Sequence, residues 1–322
     1  MDNRKNQTIL NDLVIIDGFS SSGKSLFSSI FGYLERAEHW QLDYRYEYIA
    51  SLEALGKIDR DTAKGLLNLW ADNHIYDLFI SRNINLRPTD VSSPYLVDLE
   101  QKYLNRIKKK DGDYIIDEID NIKPILPLHI HYIIGYSDIL LKGFGDKLKS
   151  YIITLRNPIE LIKVWFEGDW VNKIGTKRRE FHLCIEVNNK NYPCYTKDYI
   201  EEYEAGNDME KSIMTIYYFH KNMITMLDNV EEKYRNKVIF VPFEDFSINP
   251  DKYIDELCLK LDTSRSSNFS EIMKKLNLPR NNENNNLLGS SDFIEQYDDS
   301  ISISSKYIKM IYELEDMYKD FL

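Results

Sequence analysis

The fold is decided by the stretch Leu13-Val-Ile-Ile-Asp-Gly18-Phe-Ser-Ser-Ser-Gly23-Lys24-Ser25. Its apolar beginning, rich in β-branched residues, predicts a short buried strand, and the residues from Ser25 to Leu34 are compatible with a helix. Between them, Gly18 to Ser25 match the phosphate-binding loop pattern G-x-x-x-x-G-K-[ST] in full. A strand, a glycine-rich loop and a helix therefore follow one another in the order that a phosphate site requires.

In such a loop the backbone N–H groups converge on an anion, and the following helix adds the positive end of its dipole. Gly18 and Gly23 supply the positive φ angles and the close backbone approach that a Cβ would obstruct, and Lys24 adds a full charge. The alternative is an ordinary strand-to-helix turn capped by Ser22 or Ser25. The predicted anion-binding residues are Gly18, Ser20, Ser21, Ser22, Gly23, Lys24 and Ser25.

Composition narrows the class of protein. The 322 residues carry a formal net charge of −11, which argues against a general nucleic-acid binder. No stretch approaches the length of a membrane span, and residues 1–8 lack an apolar signal core. We therefore expect a cytoplasmic protein that contacts neither nucleic acid nor membrane. The three cysteines show no metal-binding spacing, and no metal site is predicted.

Apolar runs alternate with helical patterns along the chain, which is typical of a parallel sheet with crossover helices. We predict a three-layer α/β/α fold, as one domain over residues 1–322, around a central, mostly parallel sheet. Two polar segments, 81–99 and 168–191, are predicted substrate-binding insertions, and a C-terminal helix is expected near 304–322. The predicted strands are 13–17, 114–117, 151–155 and 238–242, and the earlier helices are 24–35, 44–55 and 61–79.

A second motif must separate the possible chemistries of a phosphate loop. Tyr114-Ile-Ile-Asp117-Glu118 has the pattern of a strand whose Asp117 holds Mg²⁺ and whose Glu118 orients water, as in a P-loop kinase or NTPase. Arg156-Asn157-Pro158, after a predicted strand, places a guanidinium beside a helix N-terminus, which suits a second phosphate. Two separate phosphate sites favour a doubly phosphorylated nucleotide.

With these motifs the chain resembles the sulfotransferases that use 3′-phosphoadenosine-5′-phosphosulfate (PAPS). In that family an early strand–loop–helix element binds the 5′-phosphosulfate, here Gly18–Ser25, and a later Arg-Asp/Asn-Pro binds the 3′-phosphate, here Arg156–Pro158. A third element, Phe240–Pro250 with its Glu-Asp turn, is similar to the family's late strand and helix start. The chain departs from the family pattern at Val164, where a serine is common, and lacks the C-terminal Arg-Lys-Gly motif.

The resemblance implies a fold of the P-loop NTPase/sulfotransferase type and in-line transfer of a sulfuryl group from PAPS to a hydroxyl, for example of a carbohydrate, or to an amine. Lys24 would neutralise the leaving bisphosphate, and no metal would be required. The expected general base is Glu118, at the end of the predicted strand, with Asp117 next and His131 third. For both His129 and His131 the sequence favours a structural role in a satisfied hydrogen bond.

The acceptor is expected to be a small molecule or a glycan. Arg82, Arg87 and Asp90 concentrate donors and acceptors in one irregular segment, as recognition of a polyhydroxylated or anionic acceptor needs; the alternative is a solvated loop. Two other functions stay open on the sequence: an ATP-dependent kinase or NTPase with Mg²⁺ on Asp117, and a nucleotide-binding module without catalysis.

Overall fold

The computed structural model describes residues 7–281, 287–298 and 301–321. Its centre is a five-stranded sheet in the order β2-β3-β1-β4-β7, in which every pairing is parallel. The predicted α/β fold with a mostly parallel central sheet is confirmed. The strands of this sheet are β1 (Asp12–Gly18), β2 (Gln41–Leu42), β3 (Ile125–His129), β4 (Leu148–Leu155) and β7 (Val238–Pro242); β5 (Cys184–Val187) and β6 (Lys190–Pro193) form a separate antiparallel hairpin.

Helices connect the parallel strands and cover the sheet. In chain order they are α1 (Lys24–Phe31), α2 (Arg45–Ala54), α3 (Arg60–Phe79), α4 (Glu100–Arg106), α5 (Tyr114–Ile122), α6 (Ile139–Gly143), α7 (Pro158–Glu167), α8 (Trp170–Lys173), α9 (Ile200–Ala205), α10 (Asp208–Asn229), α11 (Glu232–Arg235), α12 (Phe243–Ile248), α13 (Pro250–Leu261), α14 (Phe269–Lys275), α15 (Ser290–Asp298) and α16 (Ser305–Lys319). Within the described ranges, none of them combines the length and the apolar character that a membrane crossing needs.

The two faces of the sheet bury separate apolar cores. Strand β1 supplies both, with Leu13 and Ile15 in one and Val14 and Ile16 in the other, because successive side chains of a strand point to opposite faces. Both faces of β1 are thus buried, which explains its continuous run of apolar residues. The strand is the middle one of the sheet, so the loop that follows it lies between the ends of β3 and β4.

One predicted strand is wrong. Residues 114–117 begin helix α5, whose Ile115 and Ile119 are one helical turn apart and fully buried. The neighbours of β1 in the sheet are β4 and β3, and β3 begins only after α5 has ended. Asp117 and Glu118 therefore lie on a helix that precedes the amino end of β3. The predicted site requires the carboxyl end of a strand.

The other predicted elements match the structure, although the helix predicted at 24–35 ends at Phe31. The strands predicted at 13–17, 151–155 and 238–242 correspond to β1, β4 and β7, and the helices predicted at 44–55 and 61–79 correspond to α2 and α3. Segment 168–191 is more ordered than predicted, since it contains α8 and the first strand of the hairpin. The C-terminal helix is Ser305–Lys319, and Leu322, the last residue of the predicted range, lies outside the described residues.

Candidate active site

The glycine-rich loop lies at the carboxyl end of β1 and turns through left-handed backbone conformations. Gly18, Ser21 and Gly23 have φ angles of 145°, 72° and 87°. A Cβ on Gly18 would lie 2.2 Å from Thr154 Oγ1, and one on Gly23 would lie 2.4 Å from the Phe243 ring. Both glycines are therefore required by close contacts as well as by their φ angles.

Neighbouring elements hold the loop in place. Ser22 Oγ lies 2.7 Å from Thr154 Oγ1 at the end of β4, and Trp165 Nε1, on α7, donates to Ser20 O at 3.4 Å. Arg156 Nη1 donates to Ser21 O at 3.0 Å. The serines predicted to bind an anion thus lie together in a loop whose shape is fixed from the β4 side.

Lys24 is buried beneath this loop. Its side-chain nitrogen donates to Gly18 O at 3.0 Å and to Ile130 O, just beyond β3, at 2.5 Å. Burial lowers the pKa of Lys24 to about 7, although Asp17 and Glu47 act in the opposite direction. An anion bound in the loop would favour the charged form of Lys24 and so raise this pKa again.

Arg156 follows β4 and lies beside the loop, as predicted from the Arg-Asn-Pro motif. Its Nε is buried and has no hydrogen-bond partner among the described residues, and its guanidinium lies 5.7 Å from the centre of the Phe243 ring. Asn157 caps α7 through its side chain, and Glu244 accepts a hydrogen bond from the Asn157 backbone at 2.9 Å. The Glu-Asp turn thus supports the Arg-Asn-Pro turn. The Arg156 guanidinium keeps its Nε–H as a donor without a partner among the described residues.

The structure contradicts the placement of the first two predicted bases. Glu118 lies on α5 and is paired with Lys109 at 2.5 Å, and Asp117 is exposed on the same helix. Neither residue stands at the carboxyl end of a strand, which is the position on which the predicted roles depended. Asp117 is likewise not placed to hold Mg²⁺ at the phosphate loop.

His131, the third predicted base, lies just beyond the carboxyl end of β3 and is joined to Glu47 of α2. The His131 ring Nδ1 lies 2.8 Å from Glu47 Oε1, and the His131 backbone N–H donates to the same oxygen at 3.1 Å. The Tyr44 ring stacks on the His131 imidazole at 5.9 Å. The imidazole is therefore oriented by a carboxylate on one edge and by an aromatic ring on one face.

His182, from the segment before β5, covers this pair. Its ring is stacked on Tyr132 at 5.7 Å with an interplanar angle of 9° and lies 5.8 Å from the His131 ring. The segment is fastened to α2 by Tyr48, whose hydroxyl donates to Phe181 O at 2.7 Å. Segment 168–191, a predicted substrate wall, therefore places a histidine over the carboxyl edge of the sheet.

Burial dominates the electrostatics of this group. It raises the pKa of Glu47 to about 7, against the opposing effects of His182 and Lys24. Burial, together with the nearby charge of Lys24, holds the pKa of His131 well below its usual range, and burial lowers the pKa of His182 to about 4. Burial thus favours the neutral forms of both imidazoles and of the Glu47 carboxyl group.

His129 has a structural role. Its Nδ1 lies 2.9 Å from Ser28 Oγ of α1, and its ring stacks on Trp40 at 4.1 Å. The ring is almost fully buried. His131, by contrast, contacts Glu47 of α2.

The predicted acceptor residues lie beside the edge strand β2. Arg82 is paired with Asp77 at 3.3 Å and with Asp111 at 3.0 Å, and Asp90 accepts hydrogen bonds from Ser92. Arg82 and Asp90 line a polar groove of about 430 Å³. Arg87, in the same irregular segment, does not line it. Their role in acceptor binding stays a prediction.

Neither a protein-family model nor a curated protein matches this chain. Among solved structures, the chain is similar to a sulfotransferase domain from the olefin synthase of Synechococcus PCC 7002, with 11% identity, a TM-score of 0.45, and 98% of this chain and 97% of that chain covered. It is similar to a sulfotransferase domain from the curacin biosynthetic pathway, with 11% identity, a TM-score of 0.45, and 96% and 98% covered. A third similar structure is sulfotransferase STF9 from Mycobacterium avium, with 10% identity, a TM-score of 0.42, and 98% and 77% covered.

The sequence did not single out Glu47 or assign chemistry to His182. Glu47 lies on a correctly predicted helix, and the available signal was an acidic residue in the first turn of a helix that follows a short strand. His182 lies in a segment predicted to bind substrate, where a histidine flanked by aromatic and acidic residues was the signal. Only the fold brings these two residues to His131.

Proposed function

We propose that this protein transfers a sulfuryl group from PAPS to a hydroxyl, for example of a carbohydrate, or to an amine of a small-molecule or glycan acceptor. The observation that carries the proposal is the placement, side by side at one edge of the sheet, of an anion-binding loop, an arginine with unused donors and a carboxylate–imidazole pair. The loop follows β1, Arg156 follows β4, and His131 follows β3. Group transfer needs these three functions together.

The donor half fits a nucleotide with two separate phosphate groups. The loop from Gly18 to Ser25 has positive φ angles at Gly18, Ser21 and Gly23, which allow backbone N–H groups to converge on an anion, and Lys24 lies beneath it. The unpartnered, buried Nε of Arg156 points to a second anion, since a buried donor without a partner costs free energy. When bound, PAPS would supply an activated sulfuryl group at the end of its 5′-phosphate.

The acceptor half can remove a proton. Because Glu47 contacts Nδ1 of His131 at 2.8 Å, Nε2 is left for the acceptor hydroxyl, and Glu47 fixes the tautomer and stabilises the imidazolium that forms. This is the division of labour of an aspartate–histidine pair in serine hydrolases. Lys24, which contacts the carbonyl of Ile130 next to His131, would offset the negative charge that develops on the departing bisphosphate.

The kinase or NTPase alternative is weakened by the position of Asp117. A kinase or NTPase of this kind would need Asp117 at the end of a strand to hold Mg²⁺, but Asp117 lies on helix α5. Asp17, the acid closest in sequence to the loop, is fully buried and accepts hydrogen bonds from the backbone of Ile134 at 2.9 Å and from the Tyr151 hydroxyl at 2.8 Å. Its oxygens are thus used within the protein.

The test is a thermal-shift titration with 3′,5′-adenosine bisphosphate, compared with ATP plus Mg²⁺. We expect the bisphosphate to raise the melting temperature, because a ligand that binds the native state alone stabilises it. Arg156→Ala should weaken bisphosphate binding by roughly 10- to 100-fold, the value of a charge-assisted hydrogen bond. The matched control is Arg265→Ala, which removes an arginine paired with acids of α13.

Stabilisation by ATP and Mg²⁺ with no response to the bisphosphate would overturn the proposal in favour of a kinase or NTPase. Transfer itself is measured as acceptor-dependent release of the bisphosphate from PAPS over a panel of hydroxyl and amine acceptors. Tight bisphosphate binding without release on any acceptor would favour the non-catalytic binding module.

A further inference from the structure

Three potential metal ligands meet at the carboxyl edge of the sheet. One oxygen of Glu47 and one ring nitrogen each of His131 and His182 lie within 4.8 Å of one another. They come from α2, from the residue two beyond β3 and from the segment before β5. The side chains are only 6%, 12% and 12% exposed, respectively.

The geometry of the group is close to that of a zinc site. Zinc binds imidazole nitrogen and carboxylate oxygen at about 2.0–2.2 Å, so neighbouring ligand atoms in a tetrahedral site lie roughly 3.3 Å apart. The distance from Glu47 to His131 is already shorter, at 2.8 Å. Because the three ligand atoms already lie within 4.8 Å of one another, His182 has to approach by about 1.5 Å at most, which is a side-chain adjustment rather than a change of fold.

His182 has no partner to give up. Both of its ring nitrogens are buried and lack a hydrogen bond to any described residue. Glu180, the nearest acid, lies 3.7 Å from Nδ1, beyond hydrogen-bond range. A buried imidazole with two unpartnered nitrogens is costly, and its stacking on Tyr132 holds the ring beside His131.

We propose that Glu47, His131 and His182 form a binding site for a zinc ion. Two imidazoles and one carboxylate are a ligand set that zinc prefers, whereas Mg²⁺ and Ca²⁺ prefer oxygen ligands. Three protein ligands leave a fourth position for water or for an acceptor oxygen. Lys24 is the nearby cation that opposes binding, and its hydrogens are directed at two backbone carbonyls.

Zinc at this site would occupy Glu47 and the edge of His131 that Glu47 contacts, which the proposed function uses to fix the imidazole tautomer and to stabilise the imidazolium. The ion takes the place of the hydrogen bond between Glu47 and His131 and fastens the segment that carries His182 to α2 and to the end of β3. Zinc is therefore expected to inhibit sulfuryl transfer. This consequence rests on the proposed function, but the binding of zinc does not.

The test is a zinc titration of the chelator-treated full chain by calorimetry and by thermal shift, without nucleotide. We expect one zinc per chain and, at zinc a hundredfold above its dissociation constant, a rise in melting temperature of roughly 5 °C. Mg²⁺ at the same concentration should give no shift. His182→Ala and His182→Gln should each weaken zinc binding at least tenfold, whereas Glu186→Gln, an exposed acid on the adjoining strand β5, should not.

Zinc binding that survives both His182 variants, or that is lost when Cys184, Cys194 and Cys258 are all changed to serine, would overturn the proposal, because the ion would then lie elsewhere. No zinc-dependent shift in the wild-type chain would overturn it as well. A Co²⁺ absorption spectrum with tetrahedral bands and no thiolate charge-transfer band is the expected signature of the nitrogen and oxygen ligand set. These results do not depend on transfer activity, so a failure of the proposed function is separately visible.

Discussion

Two buried glutamates of this molecule, Glu38 and Glu47, differ in how fully their surroundings compensate a negative charge. Glu38 is 1% exposed and Glu47 is 5% exposed. Glu38 accepts two hydrogen bonds from the Arg106 guanidinium, at 2.8 and 3.0 Å, and one from the Tyr103 hydroxyl at 3.0 Å, and it is paired with Lys102 at 3.0 Å. Glu47 faces two neutral imidazoles and, at a greater distance, Lys24.

The difference in partners produces a difference in proton affinity. Burial alone would raise the pKa of both carboxyl groups, but Lys102 and Arg106 lower that of Glu38 to about 2, whereas the pKa of Glu47 stays raised at about 7. Glu38 is therefore ionised at every physiological pH and belongs to a closed ion-pair cluster. Glu47 belongs to an incompletely compensated group, which is the usual condition of residues that move protons.

The largest effects are expected when the cation near each glutamate is removed, Lys24 near Glu47 and Arg106 beside Glu38. Lys24→Met should lower transfer by about a thousandfold or more, because a cation on the leaving group acts mainly in the transition state. The same change should raise the melting temperature, since the lowered pKa of Lys24 means that burial disfavours its charged form in the native state at pH below 10.5. Transfer rates and thermal melts of the variant measure both effects.

Arg106→Met is the matched control for that variant. It removes a buried cation from the closed cluster, so it should lower the melting temperature and leave the rate of transfer by the folded protein unchanged. An equal loss of stability in Lys24→Met and Arg106→Met would contradict the distinction between the two groups.

Glu38→Gln should destabilise the protein by about 3 kcal/mol, because it leaves the cations of a buried ion pair uncompensated. Denaturant unfolding of the wild type, of Glu38→Gln, of Arg106→Met and of the double variant gives the coupling energy directly. Additive single effects would show that Glu38 and Arg106 do not act as a pair.

Glu47→Gln should lower kcat by about a hundredfold with little change in KM for PAPS, because the amide keeps the shape of the carboxylate but cannot stabilise an imidazolium. Its stability should be unchanged or higher, in contrast to that of Glu38→Gln. The measurement is a kcat and KM comparison with denaturant unfolding on the same samples. Parallel losses of stability and kcat would assign Glu47 a structural role.

The smallest expected effect is on acid stability. The pKa of Glu38 is lowered from 4.5 to about 2, so its contribution is present above pH 4.5 and is lost as the pH falls toward 2. The wild type should lose roughly 2 kcal/mol of stability between pH 6 and pH 3 through this group alone. Glu38→Gln should lack this part of the pH dependence, and a pH series of denaturant melts provides the check.

The strands that the sequence predicts are those with an uninterrupted apolar run. Strand β3 was missed because Pro127 interrupts it, and proline is normally excluded from inner strands. Pro127 is tolerated because it lacks a strand partner on the β2 side of β3: β2 pairs only with Leu128 and His129. In α5, the adjacent apolar residues Ile115 and Ile116 are typical of a strand. The buried residues, however, are Ile115 and Ile119, which have the spacing of a helix.

The two parts of the candidate site, the loop with Arg156 and the group of Glu47, His131 and His182, also differ in how well the sequence predicts them. The loop after β1 and Arg156 after β4 are predictable because their geometry is set by residues adjacent in sequence, namely glycines and a helix-starting proline. Glu47 and His182 are not, because their proximity depends on how α2 and the segment before β5 cross the sheet. Local sequence patterns therefore predict the loop and Arg156, whereas the grouping of Glu47, His131 and His182 depends on tertiary packing.

Asp17, the residue just before the loop, adds a consequence for folding kinetics. Its carboxylate accepts hydrogen bonds from the backbone of Ile134, 117 positions later in the chain, and from the Tyr151 hydroxyl, 134 positions later. Contacts of such long sequence separation form slowly, because the intervening chain must first be closed into a loop. The loop is continuous in sequence, but its observed conformation is held by contacts with β4, so it can form only after β4 has been synthesised and has packed against β1.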